Sequence, residues 1–300
     1  MFEDYFRDAA AKEVSRYAEA LKTGFGLVRE QKLITNATIL TLQRLLEGND
    51  AGYRSVRGTA LKNDQTGEVV YTPPQSRAEI ELLMQNLVAF INDENLSSLD
   101  PLVKMAVLHH QFETIHPFYD GNGRTGRILN ILYLVQQGLL DLPILYLSRY
   151  IIRTKGNYYH ELQAVRDTGN WKPWLLYMLK GIEETAIETI ILIDGMRRLM
   201  LDYKRQMRDE LPKIYSQDLL NNLFRHPYTK IEFVMVELGV QRITATKYLN
   251  ALVGINLLEK LKVGKSNYYM NMPLFNLLRG TATPVQTNDI IRTQSPTPES

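Results

Sequence analysis

The stretch from His116 to Arg127 contains the residue types that phosphate chemistry requires. Gly121, Asn122 and Gly123 directly precede an apolar run with helical periodicity, which predicts a glycine loop at a helix N-terminus. Backbone N–H groups at such a terminus are unpaired, face the positive end of the helix dipole and bind anions. This loop is therefore the candidate for a phosphate-handling active site.

Four charged or titratable side chains accompany the loop. Arg124 and Arg127 lie three positions apart, so both guanidinium groups project from one helix face and could clamp two phosphates. Asp120 offers a carboxylate oxygen for Mg²⁺, which bridges phosphates with few protein ligands. His116 ends the preceding helix and could take the proton of an attacking hydroxyl. Each residue alone is more often a cap or a surface group, but the combination favours chemistry.

The order of these residues resembles the signature of a known protein family. His-Pro-Phe-Tyr-Asp-Gly-Asn-Gly-Arg-Thr-Gly-Arg, from His116 to Arg127, resembles the whole signature of Fic proteins, HxFx(D/E)GNGRxxR. The similarity spans roughly residues 10 to 190, and the whole chain is similar to bacterial Fic adenylyltransferases with a C-terminal winged helix. The resemblance implies transfer of AMP from ATP to a Ser, Thr or Tyr hydroxyl of a target protein, or of the enzyme itself, with release of pyrophosphate.

Carried over by position, the resemblance implies a role for each residue of the signature. His116 would be the general base, Asp120 the Mg²⁺ ligand and Phe118 an anchor in the core. The rest would bind ATP: Gly121, Asn122 and Gly123 at the α-phosphate, Arg124 and Arg127 at the β- and γ-phosphates, with Thr125 and Gly126 beside them. Positioning and charge neutralisation would then supply most of the rate.

Two further segments would face the nucleotide or the target. A β-prone stretch containing Val69, Val70 and Tyr71 predicts a hairpin flap. In the Fic resemblance this flap borders the nucleotide site, aligns the target backbone by strand addition and positions its hydroxyl. Tyr158 falls where relatives contact adenosine, although Tyr159 could serve instead.

Two variations of the family bear on activity and control. A form with lysine in place of the second glycine acts as a protein kinase, but Gly123 favours adenylylation here. An inhibitory helix of pattern (S/T)xxxE(G/N) pairs its glutamate with the last signature arginine. Glu47 and Glu94 fail this pattern, because Gln43 and Phe90 stand where Ser or Thr is needed. Relatives with an N-terminal version carry it just upstream of where this chain begins, so we expect a deregulated enzyme that an added upstream glutamate would suppress.

A metal-hydrolase interpretation of the same region is weaker. His110 and Glu113 lie three residues apart on one helix and precede His116, as zinc ligands could. A third protein ligand with an open coordination site is lacking, and the longer signature explains His116 better. We therefore expect His109 and His110 to pack in the helical core.

Around these residues the sequence predicts a mainly α fold, a Fic-type helical bundle with a small β-hairpin flap followed by a winged-helix domain. The predicted domains are 1–205 with the Fic site, 206–278 with the winged helix, and 279–300 as a disordered tail. Apolar periodicity predicts helices at 5–27, 37–46, 77–92, 100–115, 122–137, 155–166, 174–206, 216–224, 230–238 and 244–252, and strands at 257–261 and 267–270.

The C-terminal domain leaves two interpretations open. Arg242, Thr244, Thr246 and Lys247 lie on the predicted recognition helix, and the wing carries Lys260, Lys262 and Lys265. These residues suit DNA phosphates. Winged helices also dock proteins or dimerise, and two glutamates interrupt the basic face. The alternative function is therefore a nucleotide-sensing winged-helix regulator that binds DNA. Separately, the Fic resemblance implies that a homodimer is possible, because Fic relatives often form homodimers.

Composition narrows the remaining classes. Hydrophobic residues make up 45% and charged residues 23% of the 300, with a net charge of +2, as in globular proteins. The absence of cysteine excludes disulfides, thiolate nucleophiles and cysteine zinc sites. No apolar run is long enough to span a bilayer, and the first residues lack a secretory signal, so we expect a cytoplasmic protein. The Fic resemblance implies that it uses ATP and Mg²⁺.

Overall fold

A computed structural model describes residues 9–62, 66–264 and 266–280, with side chains from residue 11 onwards. The first eight residues, the predicted tail beyond residue 280 and the wing residue Lys265 lie outside the described residues. The chain divides into two compact units, 1–187 and 188–300. The predicted functional boundary at 205/206 stays a prediction.

The first unit is helical, as predicted, with one small hairpin. A helix missed by the sequence analysis, α6, lies between α5 and α7, and α8 starts earlier and ends later than expected. The helices are α1 (Ala9–Gln31), α2 (Asn36–Glu47), α3 (Arg77–Asn92), α4 (Pro101–Ile115), α5 (Asn122–Gln136), α6 (Leu147–Arg153), α7 (Lys155–Thr168) and α8 (Lys172–Glu210), which continues into the second unit, with a short 3-10 helix at Glu94–Leu96.

Helices α4 and α5 flank the signature loop, and local sequence explains their bounds. The Asp100 carboxylate accepts the Leu102 N–H at 2.8 Å, and Pro101 follows at the first helical position, where its missing N–H costs nothing. Helix α4 ends at Ile115 with His116 as its C-cap, and α5 begins after Gly121, whose φ of 80° suits glycine. The sequence predictions for these two helices are confirmed.

The core of the first unit forms where α4 and α5 pack together. Gly126 permits this close approach, because a Cβ there would lie 3.1 Å from the Phe112 ring. Phe118 is fully buried and its ring stacks on Tyr53 at 5.5 Å, which confirms its predicted role as an anchor. The indole N–H of Trp174 donates to the Ala106 carbonyl at 2.9 Å, so α8 is tied to α4.

The predicted hairpin flap is present. Strand β1 (Leu61–Lys62) pairs antiparallel with β2 (Val69–Tyr71), and the register places Leu61 opposite Tyr71. Residues 63–65, between the two strands in the chain, lie outside the described residues. Val69 and Val70 are exposed on β2, so the strand offers apolar side chains to solvent.

The second unit combines short helices with a three-stranded antiparallel sheet, as the C-terminal sequence predicts. The sheet order is β3-β5-β4, in which the short strand β3 is an addition to the predicted hairpin. A closing helix, α12, was also not predicted. The elements are α9 (Gln217–Arg225), β3 (Tyr228–Thr229), α10 (Ile231–Leu238), α11 (Arg242–Gly254), β4 (Glu259–Val263), β5 (Ser266–Met270) and α12 (Met272–Arg279).

Among the described residues, the helices are all too short or too polar to cross a lipid bilayer.

Candidate active site

The loop between α4 and α5 is held by its own backbone and one buried amide. His116 adopts φ 48° and ψ 59°, a left-handed conformation that is unusual for a residue other than glycine. The Asn122 side chain accepts the Phe118 N–H at 2.9 Å and donates to the Phe118 carbonyl at 2.8 Å. This amide therefore fixes the loop, which leaves the backbone N–H of Asn122 for a phosphate.

The start of α5 has the features of an anion site. The Gly121 N–H donates to the Asp120 carboxylate at 2.6 Å, whereas the N–H groups of the first helical residues have no acceptor within the helix. At Gly123, a Cβ would stand 3.0 Å from Arg127 Nη1, so a side chain there would crowd the guanidinium. The missing side chain leaves backbone and arginine accessible from one side.

Arg127 lies next to a buried carboxyl group without pairing with it. Its Nε is buried and lacks a hydrogen-bond partner, and among the residues described here it forms no ion pair. Burial raises the pKa of Glu113 to about 7, although the charges of Arg127 and Arg166 oppose this shift. A neutral Glu113 would leave the charge of Arg127 available to an anion.

Arg124, the other signature arginine, is already paired. Its guanidinium donates to Glu13 on α1 and to Glu47 at the end of α2, each at 2.8 Å, and Asp120 lies 3.7 Å away. The Glu47 carboxylate also stands where a Cβ on Gly121 would be, directly over the glycine loop. Glu47 thus contacts the first signature arginine, whereas the family pattern that it failed concerns the last one.

The environment of His116 favours a neutral imidazole. Burial lowers the pKa of His116 to about 4, and the guanidinium charges of Arg54 and Arg166 act in the same direction. The Glu113 carbonyl and the Asp120 carboxylate oppose this shift more weakly. The ring can therefore accept a proton at neutral pH.

Two cavities meet at His116. The smaller, of about 320 Å³, contains Glu13, Asp120 and the glycine loop with both signature arginines. The larger, of about 1150 Å³, lies between the flap and α7 and is lined by Val70, Tyr71 and Tyr159. Because His116 and Gly123 line both, one extended ligand could occupy them together.

Several residues expected around the nucleotide line neither cavity. Tyr158 is only 5% exposed, and its hydroxyl lies 3.0 Å from His109 Nε2 in the aromatic core. Tyr159, the alternative, is 55% exposed and lines the larger cavity. Thr125 is buried, Gly126 contacts α4, and Val69 is exposed on the flap outside both cavities.

The metal-hydrolase arrangement does not form. Within the described ranges, no three His, Asp or Glu side chains are grouped as metal ligands. His110 Nε2 lies 3.1 Å from the Leu162 carbonyl, and both His109 and His110 are buried in the helical core. Their predicted packing role is confirmed.

Three contacts of the site were not predicted from the sequence: those of Arg54, Arg166 and Glu47. Arg54 is fully buried, and its Nε donates to the carbonyl of His116 at 2.7 Å. A polar residue at the end of a helix, as with Glu47, carries no local sign of its distant partner. A buried arginine next to Tyr53 in a polar loop gives no periodic signal either.

Comparisons with known families agree with the signature. Residues 33–134 match the Fic/DOC family, and residues 199–274 match the family described as protein adenylyltransferase SoFic-like, C-terminal domain. The chain therefore carries a Fic/DOC domain followed by a SoFic-like C-terminal domain, and the resemblance to Fic proteins is confirmed.

Individual relatives cover part of the chain. Protein adenylyltransferase fic-1 of Caenorhabditis elegans is 30% identical over 159 residues, which are 52% of this chain and 29% of the relative. Protein adenylyltransferase Fic of Drosophila persimilis is 31% identical over 156 residues, 52% of this chain and 28% of the relative. This chain thus matches less than a third of the length of either relative.

A solved structure of a Fic family protein from Desulfovibrio desulfuricans G20 is 21% identical, with a TM-score of 0.48, and covers 86% of this chain and 72% of that chain.

Proposed function

We propose that this protein transfers AMP from ATP to a hydroxyl group of a protein. The main observation behind the proposal is that a neutral His116, the start of α5 and Arg127 line one cavity. The names of the relatives, protein adenylyltransferases, support the same reaction. The alternative of a nucleotide-sensing regulator does not require a base at this position.

In the proposed reaction the target hydroxyl oxygen attacks the α-phosphorus of ATP. The new oxygen–phosphorus bond forms as the bond to the β-phosphate oxygen breaks, so pyrophosphate leaves and AMP stays on the target. A ring nitrogen of His116 takes the hydroxyl proton. The N–H groups of Asn122 and Gly123 and the charge of Arg127 stabilise the negative charge on the phosphates.

Asp120 fits the expected role of Mg²⁺ ligand. Its side chain is 80% exposed and lines the smaller cavity, and its Oδ2 has no protein partner among the residues that the structure describes. A single carboxylate suffices, because Mg²⁺ on nucleotides keeps water and phosphate oxygens as its other ligands. Bound there, Mg²⁺ would neutralise charge on the phosphates.

We assign the nucleoside and the target to the larger cavity. Tyr159 and Lys155 line its α7 side, with the Lys155 ammonium 5.7 Å from the centre of the Tyr159 ring, and the tyrosine offers a face on which a base can stack. Strand β2 exposes Val70 towards solvent, and an extended target segment could pair with the flap by strand addition.

The remaining expectations stay predictions. A cytoplasmic location, expected from the sequence, and a homodimer, expected from the family resemblance, are part of the proposal. For DNA binding, Lys247, Lys260 and Lys262 are exposed, whereas Arg242 is paired with Glu232 at 2.9 Å. A mobility shift on duplex DNA at several salt concentrations decides it, since phosphate contacts weaken with salt.

The proposal is tested by incubating the protein with ATP labelled at the α-phosphate, Mg²⁺ and a cell lysate. Label should appear on the protein itself or on a lysate band, and His116→Ala should reduce its rate by about 100-fold or more. His226→Ala, in the second unit, is the matched control and should label normally. Undiminished labelling by His116→Ala would remove this residue as the base.

A further inference from the structure

Two arginines from distant parts of the chain bind the end of α4, where His116 lies. Arg54 is 0% exposed, and its guanidinium donates from Nε to the His116 carbonyl at 2.7 Å and from Nη2 to the Ile115 carbonyl at 3.3 Å. The backbone N–H of Arg54 also donates to the Pro117 carbonyl at 2.9 Å. Three consecutive carbonyl groups are therefore bound by one residue.

Arg166 approaches the same helix end from α7. Its Nη2 donates to the Glu113 carbonyl at 3.3 Å and its Nε to the Thr114 hydroxyl at 3.2 Å. The guanidinium carbon also lies 3.9 Å from the centre of the Tyr71 ring on the flap. Arg166 therefore joins the end of α4 to the flap strand that borders the larger cavity.

These contacts stabilise the C-terminal end of α4. The last carbonyl groups of a helix have no partner within it and lie at the negative end of its dipole, so cationic donors stabilise them. The left-handed conformation of His116 is unfavourable for a residue with a Cβ. Such a conformation persists only when its surroundings hold it.

We propose that Arg54 and Arg166 are positioning residues for His116: they bind the carbonyl groups around it and hold its ring towards the phosphate cavity. Neither guanidinium is assigned to ATP, although Arg166 also lines the larger cavity. Both act through α4, Arg54 through backbone carbonyls and Arg166 through the Glu113 carbonyl and the Thr114 hydroxyl. The inference rests on the proposed function, in which His116 is the base. A misplacement of about 1 Å in such a base can cost on the order of 100-fold in rate.

Their charges add a second, measurable effect. The groups that act on the imidazole are Arg54 from the loop after α2, Arg166 from α7 and Asp120 from the signature loop, while Glu113, Arg124 and Arg127 share its cavities. Both positioning arginines disfavour the imidazolium, so neutralising either one should raise the pKa of His116 from about 4.

The test compares Arg166→Gln, Arg166→Lys and Arg54→Lys with wild type, and uses the exposed Arg29→Gln as the matched control. For Arg166→Gln we expect kcat to fall roughly 10- to 100-fold with little change in the KM for ATP. The acid limb of its kcat profile should move up by roughly 0.5 to 1 pH unit. Arg166→Lys should keep the limb of wild type and recover part of kcat, because it keeps the charge but not the planar fork.

A histidine titration by NMR, with His116 assigned through its absence in His116→Ala, reports the same shift without any turnover. It therefore separates the two claims, since a wild-type protein that transfers no AMP would contradict the proposed function alone. Unchanged kcat and an unchanged His116 titration in Arg166→Gln would overturn the inference. Arg54 is buried, so if Arg54→Lys does not fold, the Arg166 variants decide.

Discussion

The two helix ends that form the site are built in opposite ways. At the end of α4, Arg54 and Arg166 bind backbone carbonyls, so the cationic side chains there are used within the protein. At the start of α5, the first backbone N–H groups of the helix and the Nε of Arg127 have no partner within the described part of the chain, and Arg124 is paired with carboxylates instead. The end of α4 with His116 is therefore held in place before any substrate binds. The start of α5, in contrast, has N–H groups and an arginine that can still bind a ligand, and Arg124 would have to exchange its carboxylate partners.

This difference indicates where binding free energy is used. Holding His116 requires no ligand, so substrates need not order the base on arrival. In the proposed function, the phosphates of ATP would compete with Glu13 and Glu47 for Arg124, whereas Arg127 forms no ion pair with the other residues that the structure describes. The two signature arginines should therefore contribute unequally to ATP binding.

The largest expected effect is that of Arg127→Ala. Loss of a charge-assisted contact to phosphate should lower kcat/KM roughly 10- to 150-fold. Arg124→Ala should lower kcat/KM less, because wild-type Arg124 must break its ion pairs with carboxylates before it can bind a phosphate. Initial rates of label transfer across a range of ATP concentrations measure both. Equal losses in the two variants would contradict the unequal roles, and normal binding and transfer by Arg127→Ala would contradict its phosphate contact altogether.

The next effect concerns Glu113, which lies between the two helix ends. Its folded-state pKa of about 7 exceeds the ordinary value of 4.5, so the folded protein holds this proton more tightly. Stability from this group is complete below pH 4.5, falls as pH rises to about 7, and stays lower above it by up to roughly 3 kcal/mol.

Glu113→Gln should remove that dependence and unfold at higher denaturant concentration than wild type at pH 8. Urea unfolding at pH 4.5, 6 and 8 measures the difference in the free energy of unfolding. If wild type and Glu113→Gln lose stability in parallel over this range, Glu113 does not hold its proton in the folded state.

The smallest expected effect comes from Glu47→Gln. Weakening its ion pair with Arg124 should tighten ATP binding by about 2- to 5-fold, since partly exposed ion pairs contribute about 1 kcal/mol or less. Isothermal calorimetry with ATP and Mg²⁺ measures it, and Glu30→Gln on the exposed part of α1 is the control. Weaker binding in Glu47→Gln would show that this carboxylate assists the nucleotide.

Local patterns predicted the helices on both sides of the signature, the flap hairpin, and the short helices and hairpin of the second unit. Those features depend on caps, glycines and apolar periodicity that lie within a few residues of each other. It was harder to predict which of Tyr158 and Tyr159 is exposed. Neighbouring residues on a helix point about 100° apart, and only packing decides which of them is buried. α6, with seven residues, was too short to show periodicity.

Contacts between residues far apart in the sequence could not be predicted from those local patterns. Arg54 meets the His116 carbonyl 62 positions later, and Glu47 meets Arg124 after 77. Neither residue type predicts its partner, since an arginine in a polar loop and a glutamate at a helix end are ordinary surface residues. The expectation of a deregulated enzyme, drawn from a failed sequence pattern, stays a prediction beside the observed Glu47–Arg124 pair.

The proposed function requires that AMP, and not the terminal phosphate, moves to protein. Parallel reactions of the wild-type protein and a lysate with ATP labelled at either the α- or the γ-phosphate test it most directly, with mass spectrometry of the labelled peptides. We predict label from the α-phosphate alone and a mass increase equal to one AMP group on a Ser, Thr or Tyr. Label from the γ-phosphate on protein, or none from the α-phosphate, would contradict the account.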